Sequence, residues 1–168
     1  MKNIIYTLFF LSVFTHAQDK QIISIGADVQ LLVNGAYSYD ETPVLDGYFN
    51  IVTQREDNKE FGVFVEYANL NPKFFAMGLT GGYNFNLVRR FDTVLNLEGG
   101  LIVRSFEDYD TQKVFLFVGA NGIVRYWFLD WLSLDLRLNV KYRNDLAKFY
   151  NDSNPIRISG ITGLSFKF

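Results

Sequence analysis

Leu132-Ser133-Leu134-Asp135-Leu136-Arg137-Leu138-Asn139-Val140-Lys141-Tyr142-Arg143 alternates apolar and polar residues without a break. Successive side chains of a β-strand point to opposite faces, so this stretch reads as a strand with one oily and one charged face. The same period recurs elsewhere. Phe75, Met77, Leu79, Gly81, Tyr83, Phe85 and Leu87 alternate with Ala76, Gly78, Thr80, Gly82, Asn84 and Asn86. Near the C-terminus Ile156, Ile158, Gly160, Thr162, Leu164, Phe166 and Phe168 alternate with Arg157, Ser159, Ile161, Gly163, Ser165 and Lys167. Strands are expected over 22–33, 44–54, 60–69, 75–87, 93–106, 113–128, 132–143 and 155–168, an even set of eight divided by turn-forming or charged residues. The connections 34–43 and 144–154 are long and polar, whereas 55–59, 88–92 and 129–131 are short. Both chain ends fall on the side of the short turns.

Composition narrows the chemistry. The 168 residues suit one domain, and the absence of Cys excludes a disulfide scaffold or a thiolate metal site. Lys2, the apolar run Ile4 to Phe14 and the small Ala17 have the order of a signal peptide, so residues 1–17 are expected to be cleaved before Gln18, leaving 18–168 as the folded domain. Cleavage removes the single histidine, His16, and with it any Ser-His-Asp triad, histidine-ligated metal or histidine general base. No cofactor is expected, and no enzyme. Eighteen acidic against sixteen basic residues give nucleic acid no clustered cations to bind. No later segment has the eighteen consecutive apolar residues of a spanning helix. The exported chain would then be soluble in the periplasm, secreted, or a barrel in the outer membrane.

The apolar phase of all eight expected strands carries no Asp, Glu, Lys or Arg, while the other phase holds Asp28, Asp46, Glu60, Glu66, Glu98, Arg104, Arg125, Asp135, Arg137, Lys141, Arg143, Arg157 and Lys167. A charge facing lipid at mid-membrane costs about 2–4 kcal/mol, so a bilayer would enforce such an uncharged face. A soluble lipocalin-like binding barrel would show the same alternation turned inside out. Three features favour the membrane. Several strands are long enough to cross the hydrocarbon at a tilt. Gly26, Gly62, Ala76, Gly78, Gly82, Gly100, Gly119 and Gly163 sit in the charged phase, as the interior of a narrow barrel would require. Aromatics gather at strand ends: Tyr67, Phe74, Phe75, Phe106, Tyr109, Tyr142, Phe149 and Tyr150 at one rim, and Phe61, Phe85, Phe91, Tyr126, Phe128, Trp131, Phe166 and Phe168 at the other.

The last residues resemble the carboxy-terminal assembly signal of outer-membrane barrels, a terminal Phe preceded by alternating apolar residues. Leu164, Phe166 and Phe168 occupy those positions, with Thr162 the less apolar fourth. With the signal peptide and the strand count, the chain resembles the small OmpX-type and OmpA-type barrels of Gram-negative cell envelopes, in a Bacteroidetes-like form. That resemblance implies an all-β fold, an eight-stranded antiparallel up-and-down transmembrane β-barrel in the outer membrane. It also implies lipid bilayer and lipopolysaccharide as surroundings and the barrel-assembly machinery as a partner.

Inside such a barrel the charged phase would form an ion-pair network of Glu66, Glu98, Arg104, Arg125, Asp135 and Arg137 that plugs the lumen instead of conducting. Summing residue numbers about the 129–131 turn sets Arg125 opposite Asp135. The same construction across 107–112 brings Arg104 beside Phe115 and Glu98 near Asn121. Lys141, Arg143 and Arg157 gather at the rim below 144–154. They read either as an anion site, for example for lipopolysaccharide phosphate, or as cations bridged to Glu66 or a loop acid. Asp108, Asp110, Asp145 and Asp152 lack the spacing of a calcium loop and read as solvated acids. The function expected is structural or surface-binding, through the loops at 34–43 and 144–154 and an envelope or surface protein partner. The alternatives are an accessory barrel subunit of a secretion or conjugation apparatus and, further off, the soluble binding barrel.

Overall fold

The computed structural model describes residues 19–34, 44–70, 73–106, 111–149 and 154–168. Eight antiparallel strands follow one another around a closed barrel: β1 Lys20–Asp28, β2 Asp46–Gln54, β3 Lys59–Ala68, β4 Lys73–Val88, β5 Phe91–Phe106, β6 Thr111–Leu129, β7 Leu132–Arg143 and β8 Ile156–Lys167. Each strand pairs with its neighbours in sequence, and β1 pairs with β8 to close the ring. Reciprocal backbone hydrogen bonds between Gln21 and Phe168, 3.1 and 2.9 Å, fasten the end of that seam. Closure leaves no row of unpaired backbone groups at a sheet edge. The expected signal segment 1–17 lies outside the described residues, as do most of the 34–43 loop and the acids Asp108, Asp110 and Asp152.

The sidedness is that of a barrel with an apolar exterior. Ile25, Leu79, Leu97, Leu116, Leu136 and Ile158 are exposed, whereas Glu60, Glu98, Arg125, Asp135 and Arg137 are buried. A soluble binding barrel needs the reverse arrangement, so the lipocalin-like alternative fails on sidedness. β3 and β4 begin one and two residues before their expected limits, which adds Lys59 and Lys73 to the outer phase. Both are first residues of their strands and sit at rims, where a long side chain can carry its charge out to water.

Three local expectations need correction. The first strand stops at Asp28, and residues 29–33, expected to continue it, belong to a short helix, α1 Val29–Asn34. Asp28 Oδ1 accepts the Leu31 N–H at 3.1 Å, satisfying one of the helix's free donors as an N-cap does. The connection 144–154 is not simply polar, because it opens with α2 Asn144–Phe149, which buries Leu146 and Asp145. Phe74, placed in a girdle from sequence, is buried inside the barrel with Ala76, Ile102 and Phe117. Its inward phase, shared with Ala76, decides this over its position near a strand end.

The aromatic rims are otherwise well populated. Phe61, Phe85, Phe91, Tyr126, Phe128, Trp131 and Phe168 are exposed toward the short-turn end, and Tyr67 and Tyr142 toward the other. The side chains of Phe106, Tyr109, Phe149 and Tyr150 lie outside the described residues.

Glycine decides how tightly the wall curves. Gly78 faces Gly100 across the β4–β5 ladder, and Gly26 faces Gly163 across the closing seam. A Cβ on Gly100 would stand 2.1 Å from the Met77 carbonyl oxygen and 2.6 Å from the Gly78 Cα. Backbone cannot yield as a side-chain tip can, so these positions admit only hydrogen. Gly100→Ala is expected to lower stability by about 1–3 kcal/mol, a typical overpacking cost. Gly160→Ala, whose Cβ would meet nothing within 4 Å, should stay within about 0.5 kcal/mol of wild type. Urea unfolding midpoints of the refolded proteins measure both.

Candidate functional site: the charged lumen

Inward-facing side chains come from every strand, and most of the buried charges among them meet in three groups. The first centres on Arg125 of β6, whose side chain is fully buried. Its Nη1 and Nη2 donate to the two carboxylate oxygens of Glu60 at 2.6 and 3.2 Å, and its Nε donates to Asp135 Oδ2 at 3.3 Å. Asp135 also accepts from Ser133 Oγ at 2.6 Å and Ser165 Oγ at 2.5 Å. Since Ser165 donates there, Ser24, at 2.5 Å, donates to Ser165. Glu60 accepts in addition from Asn84 Nδ2 at 3.1 Å. An arginine between two carboxylates, each with neutral donors of its own, has most of its hydrogen-bonding capacity used, and without that its burial would be prohibitive.

The second group joins Arg137, Lys141, Glu98 and Glu66. Arg137 Nη1 lies 3.5 Å from Glu98, which also accepts from the Tyr48 hydroxyl at 3.1 Å. The Arg137 guanidinium stands 4.1 Å from the centre of the Tyr48 ring, a cation–π contact. Lys141 Nζ pairs with Glu66 and lies 3.9 Å from Glu98. The third group closes the long-loop end. Asp145, on α2, accepts from Arg104 Nε at 3.0 Å and from Arg143 Nη2 at 2.7 Å. Both guanidiniums also contact the Phe74 ring, at 4.9 and 4.5 Å.

Burial alone would raise the Asp145 pKa, but the hydrogen bond and charge of Arg143, with Arg104 beside it, outweigh burial and hold the carboxyl below its ordinary value. A helix of six residues is thereby strapped over the lumen by its first-turn acid. Between the charged groups runs a neutral stretch in which Asn96 donates to Asn121 at 3.2 Å and Asn139 stands opposite Asn121 across the β6–β7 ladder.

The structure brings Arg125 and Asp135 together in the register set by the 129–131 turn. The other register estimate is off by two residues. Arg104 stands opposite Lys113, Phe115 opposite Ile102, and Glu98 opposite Gly119, while Asn121 pairs with Asn96. β5 and β6 run to Phe106 and Thr111, so the turn between them is shorter than the 107–112 assumed. At the rim, Lys141 and Arg143 each meet a carboxylate of the chain, Glu66 and Asp145. Arg157 is in register with Lys141 but exposed, with Nη1 3.4 Å from the Asn154 carbonyl oxygen. Asp145 is therefore not a solvated acid. Leu164 faces outward and is exposed, Phe166 is half-buried against Trp131, and Phe168 is the most exposed of the three.

Glu60 and Asp145 are the partners that register arithmetic misses. β3 is not adjacent to β6, and α2 belongs to no ladder, so summing about a turn reaches neither. The signal available for Glu60 was its inward phase alone. Among the described residues no group of three His, Cys, Asp or Glu side chains could hold a metal ion.

Two measurements follow from these contacts. In a double-mutant cycle, Arg125→Met should cost more than Asp135→Asn, because it strands Glu60 as well as Asp135. Its coupling to Glu60→Gln should be the larger of the two, within the range of about 0.5–3 kcal/mol seen for contacting pairs. For α2, the depressed Asp145 pKa means that its contribution is fully present above the unfolded carboxyl pKa of about 4 and is lost as pH falls through the lower folded value. The stability difference between wild type and Asp145→Asn should accordingly be constant from neutral pH to about 5 and shrink as the pH is taken toward 2.

No protein-family model matches the chain, and no curated protein matches it. Among solved structures, Neisserial surface protein A superimposes with a TM-score of 0.61 at 16% identity, covering 89% of this chain and 96% of that one. The N-terminal β-barrel domain of Pseudomonas aeruginosa OprF gives 0.59 at 13% identity, covering 90% and 98%. The Yersinia pestis outer membrane protein Ail, determined in a phospholipid bilayer nanodisc, gives 0.53 at 15% identity, covering 89% and 99%. Over almost its whole described length, the chain has the fold of the small eight-stranded outer-membrane barrels.

Proposed function

We propose that this protein is a non-enzymatic integral barrel of the outer membrane, serving a structural or surface-binding role through its long-loop end. One observation carries the reading. Among the described residues the outward phase of all eight strands carries no charge save Lys59 and Lys73 at the rims, while the buried cations Arg104, Arg125, Arg137 and Lys141 turn inward and pair with carboxylates. Water would favour the opposite sidedness, and a hydrocarbon layer requires this one. Strands of nine to nineteen residues are long enough to cross such a layer at a tilt.

In this reading the short turns and both chain ends face the periplasm and the longer connections face outward, the usual arrangement of bacterial barrels. The buried ion pairs close the lumen, because eight strands enclose only enough space for side chains. Lipopolysaccharide then surrounds the outer rim, and the barrel-assembly machinery reads the terminal Phe168. The outer loops, strapped at α2, offer the surface on which a partner would dock.

Fractionation of cells expressing the full chain should recover it in the outer membrane, with faster gel mobility in cold SDS than after boiling. In refolding into lipid vesicles, Leu136→Arg places a charge on the exposed face and should cost about 2–4 kcal/mol. Recovery from the soluble periplasm with no shift on boiling, or equal refolding of Leu136→Arg and wild type, would overturn the proposal.

A further inference from the structure

The short-turn mouth of the barrel holds a feature that neither the wall nor the lumen network uses. A cavity of about 420 Å³ opens there, lined by Lys20, Arg55, Arg89, Arg90 and Lys167 together with Glu56, Asp92 and Asp130. Lys20 and Lys167 lie on either side of the closing seam, on the inward phase of β1 and β8. The amides of Gln54, Asn58 and Asn86 complete the polar lining. We propose that this cup is a binding site for a phosphate-bearing anion.

The charge arrangement is the reason. Elsewhere in the barrel the inward cations Arg104, Arg125, Arg137, Lys141 and Arg143 each lie within ion-pair distance of a carboxylate. At this mouth none of the five cations does. Asp92 instead accepts from Trp127 Nε1 at 2.7 Å, and Lys167 Nζ lies 4.0 Å from the Trp127 ring centre. Five cations against three acids leave the cup with an excess of positive charge, which an anion seated among them would offset. Arg90, at φ 83° in the tight 89–90 turn, places one of these cations at the lip of the cup.

The chemistry of the lining names the ligand class. Guanidiniums and ammoniums with neutral amide donors match a tetrahedral oxyanion, which accepts from several directions at once. Six of the lining residues, Lys20, Gln54, Asn86, Asp92, Trp127 and Lys167, lie on the inward phase of their strands, so the cup faces the aqueous compartment and not the apolar wall. A soluble phosphate ester therefore fits better than a phospholipid headgroup beside the barrel, and the two sources can be told apart.

The test uses the refolded barrel in zwitterionic micelles, with Trp131→Phe so that Trp127 reports alone. Inorganic phosphate and then glycerol phosphate are titrated against sodium chloride of equal ionic strength. A saturable change in Trp127 emission is expected with both phosphates and not with chloride. Lys20→Gln/Lys167→Gln should weaken it by about tenfold or more, and Lys59→Gln, a charge at the same end outside the cup, should leave it unchanged. Arg90→Gln gives a second loss variant away from the seam, and cold-SDS mobility verifies the fold of each. A repeat in nanodiscs separates the sources. A phosphate response undiminished by anionic phospholipid supports a soluble ligand, whereas one already saturated in anionic discs retains the anion site but assigns it to a lipid headgroup. No saturable response in any medium, or one that survives both loss variants, overturns the site.

Discussion

Ring closure between β1 and β8 is the constraint on which the rest of this molecule depends. Once the eight strands close, every side chain lies either outside or inside, and no third environment remains along the wall. The inside of so narrow a barrel holds few groups that can reach bulk water. A charge buried there is costly unless another neutralises it, and around the buried arginines Glu60, Asp135 and Asp145 each accept from more than one donor. Arg125 shows the requirement most severely, bridging Glu60 and Asp135 while wholly buried. A closed wall also needs curvature, and the facing glycine pairs supply it by letting backbones approach where a Cβ would clash.

The two ends of the barrel differ in how they treat charge. At the long-loop end the chain supplies its own counter-ions, Glu66 to Lys141 and Asp145 to Arg104 and Arg143. A six-residue helix is held over the opening by a single buried carboxylate in its first turn. In the cup at the short-turn end five cations stand against three acids, none of the five within ion-pair distance of a carboxylate. Solvent at the mouth screens that excess of charge, so it weighs less on the wall than a buried charge would. The asymmetry concerns what each end presents to the compartment it faces.

Much of this was legible in the chain. Period-two alternation fixes the number of strands and their phase, because a strand cannot turn one side chain without turning all of them. Asp135 could be placed opposite Arg125 because a tight turn leaves little freedom in register, whereas two residues of uncertainty in the 107–110 turn displaced the pairing of Arg104 and Glu98. Phe74 and Asp145 misled for related reasons. Position near a strand end or in a polar loop says little about burial when the deciding neighbours, Ile102 and the two arginines, come from other strands.

The sequence by itself determined the strand count, the separation of oil from charge and the side of the barrel on which each connection falls, since these follow from local periodicity and chain order. Only the tertiary structure decided which charges meet. Contacts across a lumen join strands that share no turn, and their geometry depends on how the closed ring is tilted and staggered, a property of all eight strands at once. Glu60 reaches Arg125, Asp145 folds inward to two arginines, and five cations are left together at the mouth for that reason.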